Sequence, residues 1–177
     1  MVHRLDRDTS GLLVFARGAE AADALREQFR AHSVERIYLA IVSGNVRADS
    51  GTFDSFLSTN RALDRYSSDS RRGERAITHY RVRERLAGAT FVEVRLETGR
   101  RNQIRVHFAE AGHPVLGDRR YGTSSAGPRN WPSDRLALHA AGLGFTHPAS
   151  GERLTYAAPL PAAFRKLLAG DDSTRGR

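Results

Sequence analysis

The residues best placed to do chemistry lie at the start of the chain, in His3-Arg4-Leu5-Asp6-Arg7-Asp8-Thr9-Ser10-Gly11. A carboxylate between two arginines, as Asp6 is between Arg4 and Arg7, is favoured in its ionised form, which a nucleophile or general base requires. Thr9-Ser10-Gly11 supplies turn chemistry that can fix such a loop. The same residues also suit a plain turn in which Asp6 or Asp8 bonds the backbone. A second cluster is Thr98-Gly99-Arg100-Arg101-Asn102-Gln103-Ile104-Arg105. It runs from the end of a strand pattern into the start of a helix pattern, with Asn102 in the N-cap position. Arginines beside the positive end of a helix make a seat for phosphate or carboxylate, or else simply a solvated charged turn. Third is Tyr38, on the polar side of an alternating strand. It is an ordinary rim residue or, in a nucleic-acid site, a platform for a base.

Other chemistries fit less well. Asp6 and Asp8 as a glycosidase acid/base pair lack a nearby cluster of sugar-stacking aromatics. His107, His113 and His139 match no metal-ligand spacing, so no metal is expected. His79 and His147 read as ordinary strand or turn residues.

These residues need elements to hold them. Leu12–Ala16 reads as a short buried strand, and helical spacing of Ala22, Leu25, Phe29 and His32 predicts a helix over Ala19–His32. Glu35–Val42 alternates, with Ile37, Leu39 and Ile41 on the expected buried side. Residues 44–74 are rich in Gly, Ser, Asp and Arg, predicting loop with one hairpin around Thr52–Ser58. Arg75–Glu84 and Ala89–Glu97 predict an antiparallel pair turning at Ala87-Gly88. Ile104, His107, Phe108 and Ala111 predict a short helix ending at Gly112. A Gly/Ser/Pro-rich loop with Trp131 spans Gly122–Asp134, Leu136–Phe145 and Arg153–Tyr156 are strand candidates, and Pro161–Leu168 is a closing helix. The fold class is α+β, with a mixed, mainly antiparallel sheet and a few flanking helices. Residues 1–169 are expected to form one domain and 170–177 a disordered tail.

Composition narrows the field further. The chain has 177 residues, no Cys and a formal charge of +8. The missing cysteines exclude disulfide scaffolds, Cys-based zinc sites, iron–sulfur clusters and thiol nucleophiles. No apolar run approaches the roughly 20 residues of a membrane span, and the expected setting is the cytoplasm. Lys166 is the only lysine, so 27 of the 28 basic residues are Arg. Genomic base composition explains that bias as readily as function does. Arginine nevertheless suits phosphate forks and stacked bases, and a pI of about 10.8 points to a polyanionic partner.

Taken in order, four segments resemble the RluA-type pseudouridine synthases. The block from His3 to Leu13 looks like the family's catalytic HRLDxxTSGLL motif, and Arg36-Ile37-Tyr38-Leu39-Ala40 is similar to its second, tyrosine-bearing motif. Leu96–Arg100, Gln103–His107 and Gly112–Asp118 with Tyr121-Gly122 look like the third block. Arg135–Ala140 and the stretch to Pro161 are similar to the C-terminal segments. Arg101-Asn102 stands where the family usually has Thr-His. The resemblance implies an RNA uridine-to-pseudouridine isomerase acting on rRNA or tRNA, without metal, redox cofactor or ATP. It implies Asp6 as the aspartate that attacks or deprotonates the target ribose. It also implies Arg105 as the partner keeping Asp6 ionised, and Tyr38 stacked on the flipped uracil and serving in the late proton transfer. Arg4 would fill the space the nucleotide leaves. Arg7, Arg71, Arg72, Arg75, Arg100 and Arg101 would contact backbone phosphates. Family members carry strands upstream of the catalytic motif, so the catalytic domain is expected to lack its N-terminal part here. A non-catalytic RNA-binding remnant is the alternative. A monomer is expected.

Overall fold

The computed structural model describes residues 2–62, 64–68, 73–122, 128, 131–132 and 135–172, with the side chains of 171 and 172 left aside. Its strands are β1 (Ser10–Gly11), β2 (Glu35–Ser43), β3 (Ser50–Thr59), β4 (Arg65–Ser68), β5 (Glu74–Leu86), β6 (Ala89–Leu96), β7 (Leu138–Thr146) and β8 (Arg153–Ala157). The helices are α1 (Ala19–Arg30), α2 (Gln103–Glu110) and α3 (Ala162–Asp172). One sheet runs β1-β7-β2-β6-β5-β3-β4, with β8 also on β7. Every pairing is antiparallel except β1 with β7. The class is the α+β arrangement the sequence predicts.

The sheet's main core gathers Tyr38, Ala40 and Val42 of β2, Val92 and Val94 of β6, and Leu138 and Ala140 of β7 against Ile104 and Phe108 of α2. Burying that face is what holds α2, an eight-residue helix too short to persist alone. A second cluster packs Leu25 of α1 against Leu143 and Phe145 of β7, with Leu12, Val14 and Phe29 at its margin.

Several local expectations change. Leu12–Ala16 is not a strand: pairing with β7 stops at Gly11, apart from Leu12 N donating to Ala140 O (2.9 Å). Beyond that point β8 occupies the same side of β7, from Gly142 to Thr146, so the segment peels away. On β2 the expected sides change over the first half of the strand, while Ile41 is buried as expected. Arg36, Tyr38 and Ala40 are the buried row, while Ile37 and Leu39 are half-buried, because α2 covers the Tyr38 face. Residues 44–74, read as loop with one hairpin, hold two strands, and β3 pairs with β5 from Ser50↔Arg81 to Leu57↔Glu74. The closing helix runs on to Asp172, and the rest of the expected tail lies outside the described residues.

Candidate active site

A cavity of about 360 Å³ opens where the 3–9 loop, the end of α1, the start of β2 and the 96–104 turn converge. Asp6, Tyr38, Arg4, Arg100 and Arg101 all line it. The loop is positioned by both its ends. β1 ties it to β7 through Ser10↔His139 and Gly11↔Ala140, and Ser10 Oγ lies 2.9 Å from His139 Nδ1. At the other end His3 stacks on Phe29 of α1 (4.5 Å between ring centroids). Its Nε2 accepts the backbone N–H of Val14 at 3.1 Å, which requires that nitrogen to be unprotonated. Burial first, and then the Arg36 charge, lower the His3 pKa from 6.5 to about 4.

Asp6 sits 3.9 Å from Arg105 Nη1 and accepts the Asn102 backbone N–H at 3.3 Å. Arg105 gives its stronger bonds elsewhere, bidentate to Asp118 at 2.7 and 2.8 Å, and Nη1 donates to Asn102 Oδ1 at 3.2 Å. The Asp118 side chain is wholly buried and also accepts the backbone N–H groups of Arg120 and Tyr121. Arg105 is therefore fixed by Asp118 and presents its remaining face to Asp6.

The electrostatics correct one expectation. Burial is the largest influence on Asp6 and raises its pKa above the ordinary aspartate value. Arg105, the Asn102 N–H and Arg4 pull it back down, and Asp118 adds to the rise. Burial outweighs these opposing contributions, so the flanking Arg4 does not hold the carboxyl below its ordinary value. Tyr38 is 9% exposed, and desolvation pushes its phenol up to about 12 despite the opposing Arg36 charge. It is a neutral hydroxyl at neutral pH, able to donate a hydrogen bond into the cavity.

Asn102 occupies the N-cap position of α2, but its side chain does not cap the helix. The residue is left-handed (φ 58°), and its Nδ2 donates to Tyr121 Oη at 2.9 Å. Gln103 braces the turn instead: its Oε1 accepts Arg100 N and Thr98 Oγ1, and its Nε2 donates to Thr78 Oγ1 and Ile77 O.

The proposed phosphate contacts divide. Arg4 and Arg7 are exposed. Arg75 is exposed but chelated by Asp54 at 2.7 and 3.1 Å, and Arg100 bonds Arg75 O and Glu74. Arg101 lines the cavity. Arg71 and Arg72 lie outside the described residues. No cluster of His, Asp and Glu that could hold a metal ion occurs among the described residues. Reading the sequence for motifs assigned no separate role to Asp118, Arg36 or His3. The carboxylate in Gly117-Asp118 was visible, but its thirteen-residue separation from Arg105 follows no periodicity.

Comparison with known proteins places this geometry in context. The family model described as RNA pseudouridylate synthase matches residues 1–110. A ribosomal large subunit pseudouridine synthase D of Zymomonas mobilis is 45% identical over 95% of this chain and 55% of its own length. Its counterpart in Xanthomonas campestris is 41% identical over 99% and 56%. The chain thus spans about half the length of the curated relatives it matches. Among solved structures, human RNA pseudouridylate synthase domain containing 1 superposes with a TM-score of 0.77 at 31% identity, covering 90% of this chain and 68% of that one.

Proposed function

This chain belongs to the RNA pseudouridylate synthase family, and on that premise we propose that its cavity isomerises a uridine of RNA to pseudouridine. The observation that carries the reading is Asp6: a half-buried carboxylate facing an anchored arginine, in one cavity with a protonated tyrosine. The target base must leave its stack to reach such a recess. Asp6 either attacks C1′, displacing N1 and leaving again when C5 of the turned uracil bonds to C1′, or removes the C2′ proton as the N1–C1′ bond breaks and returns it when C5–C1′ forms. The C5 proton is then lost and N1 gains one. Tyr38 lies against the base and serves the late proton transfer. Arg105 stabilises the ionised form of Asp6 against the effect of burial. Arg4, exposed at the rim, fills the gap left by the nucleotide. The relatives' names speak of the ribosomal large subunit, which makes ribosomal RNA the first substrate to try and transfer RNA the second.

The test is pseudouridine mapping by carbodiimide labelling and primer extension on unmodified rRNA and tRNA transcripts. The purified chain should create a new stop, and Asp6→Asn should abolish it while RNA affinity stays within about twofold. RNA binding without any stop, even in an upstream-extended chain, would favour a non-catalytic RNA-binding role. Tyr38→Phe keeps the ring and removes the hydroxyl; it is expected to bind RNA normally and lose most of the product.

A further inference from the structure

Arg36 is a buried cation that no carboxylate answers among the described residues. It is 8% exposed and lines the cavity. It alternates with Tyr38 on one face of β2, so both side chains point the same way. Its Nη2 donates to two neutral acceptors, Glu97 O at 2.7 Å and Leu96 O at 3.3 Å. Its Nε is buried without a hydrogen-bond partner. Its Nη1 lies against Gly99, where a Cβ would stand 2.5 Å away, so the guanidinium fits only because that wall residue has no side chain. Phe29 lies 5.8 Å from the guanidinium carbon.

The contrast with Arg65 is informative. Arg65 is equally buried, but it pairs with Glu74 at 2.7 Å. Arg36 has no carboxylate within 4.0 Å among the described residues. His3, its neighbour in the cavity wall, is kept neutral and neither repels an incoming anion nor competes for it. A guanidinium stays charged even where burial weakens it, and an uncompensated buried charge is costly. That cost is recovered when a ligand brings the opposite charge.

We propose that Arg36 is the seat of a phosphate group of the substrate RNA, the one attached to the nucleotide held in the cavity. This rests on the reading of the cavity as a uridine site. A ground-state anion is favoured over charge arising later on the base, because Arg36 is already desolvated and unpaired before any reaction. The contact would register the target nucleotide by its backbone, leaving Tyr38 to the base and Asp6 to the sugar.

The test uses ¹⁵N-labelled protein, in which the buried Nε–H of Arg36 reports on the guanidinium and is assigned by its disappearance in Arg36→Lys. Uridine, uridine 5′-monophosphate and uridine 3′-monophosphate are titrated separately. One monophosphate is expected to shift this resonance and to bind at least tenfold more tightly than uridine, whose effect on the resonance is small. Arg36→Gln should erase that preference without weakening uridine, and Arg36→Lys should retain part of it. If Arg36→Gln fails a thermal melt, the wild-type resonance and Arg36→Lys decide. The proposal is overturned if neither monophosphate shifts the resonance, if both bind no better than uridine, or if the preference survives in Arg36→Gln. Product formation without phosphate preference would sink this site and leave the function standing. Phosphate preference without product would do the reverse.

Discussion

Asp118 is the residue on which the geometry around Asp6 turns. It holds Arg105 with two bonds and two backbone N–H groups with the same carboxylate, and its side chain is fully buried. Removing one partner of a buried ion pair leaves the other charge stranded, at a cost of about 3 kcal/mol. Asp118→Asn is therefore expected to lower stability by roughly that amount, read as a fall in the urea midpoint at constant m value. It also releases Arg105 from its tether, so product formation should fall further than the lost stability explains. A variant as stable as the parent would show that Arg105 is held by something else. Charges near Asp6 in sequence proved less informative than charges near it in space. Arg105, ninety-nine residues along the chain, sits 3.9 Å from Asp6 and lowers its pKa more than its sequence neighbour Arg4 does.

At the scale of elements, the loop bearing Asp6 depends on a two-residue strand. Gly11 has φ 112°, and a Cβ there would collide with the Ala140 carbonyl oxygen. Gly11→Ala is expected to break the β1–β7 pairing, destabilise the fold by at least about 2 kcal/mol, and reduce product formation even at temperatures where the protein stays folded. Thermal melts alongside single-turnover assays measure both. This level shows what the sequence made legible. The β5–β6 hairpin announces itself through alternation and its Ala87-Gly88 turn, and α2 through its spacing and Gly112. β3 does not, because Ser50, Gly51, Asp54 and Ser55 have weak strand preference, and its identity comes from register with β5. Leu12–Ala16 misleads for the opposite reason: its residues favour a strand, but β8 takes the only partner. On β2 the alternation is real, but which row is buried is set by α2, about sixty residues further along the chain. In the site, Asp6, Tyr38 and the Arg100–Arg105 turn could be found by residue type, while Asp118 and Arg36 needed the fold.

The whole molecule carries a formal +8, and no described helix is long and apolar enough to cross a membrane. RNA affinity is expected to fall steeply with salt. Arg7→Ala, at an exposed position, should reduce the slope of log K against log salt by about 0.7, the value for one phosphate contact on a single strand. An unchanged slope would remove Arg7 from the RNA contacts. Stability should depend on pH through three histidines whose pKa burial lowers, His139 among them. His3 and His107 are both pushed by burial from 6.5 to about 4 in the folded state. Below 6.5 the unfolded chain takes up protons that the native state refuses until about pH 4. Native stability is thus full above 6.5 and falls as the pH drops through that window, by at most about 1.4 kcal/mol per unit for each group. Asp6, with its pKa raised, acts in the opposite sense just above the ordinary aspartate range. Urea melts at pH 7 and pH 5 of the parent and of His107→Gln separate these contributions, and equal midpoints at both pH values would contradict the assignment.

The pairing of Ser10 with His139 also has a consequence in time. Asp6 meets Asn102 across ninety-six residues, and β1 meets its partner strand β7 across more than a hundred. Closing loops of that length is slow, and such contacts form late on the way to the native state. During synthesis the loop bearing Asp6 is made more than a hundred residues before β7 and must wait for that strand before β1 has its partner. A nascent chain cut short before residue 139 can hold much of the sheet, but β1 has no β7 to pair with, so the recess around Asp6 is completed only once β7 has been made.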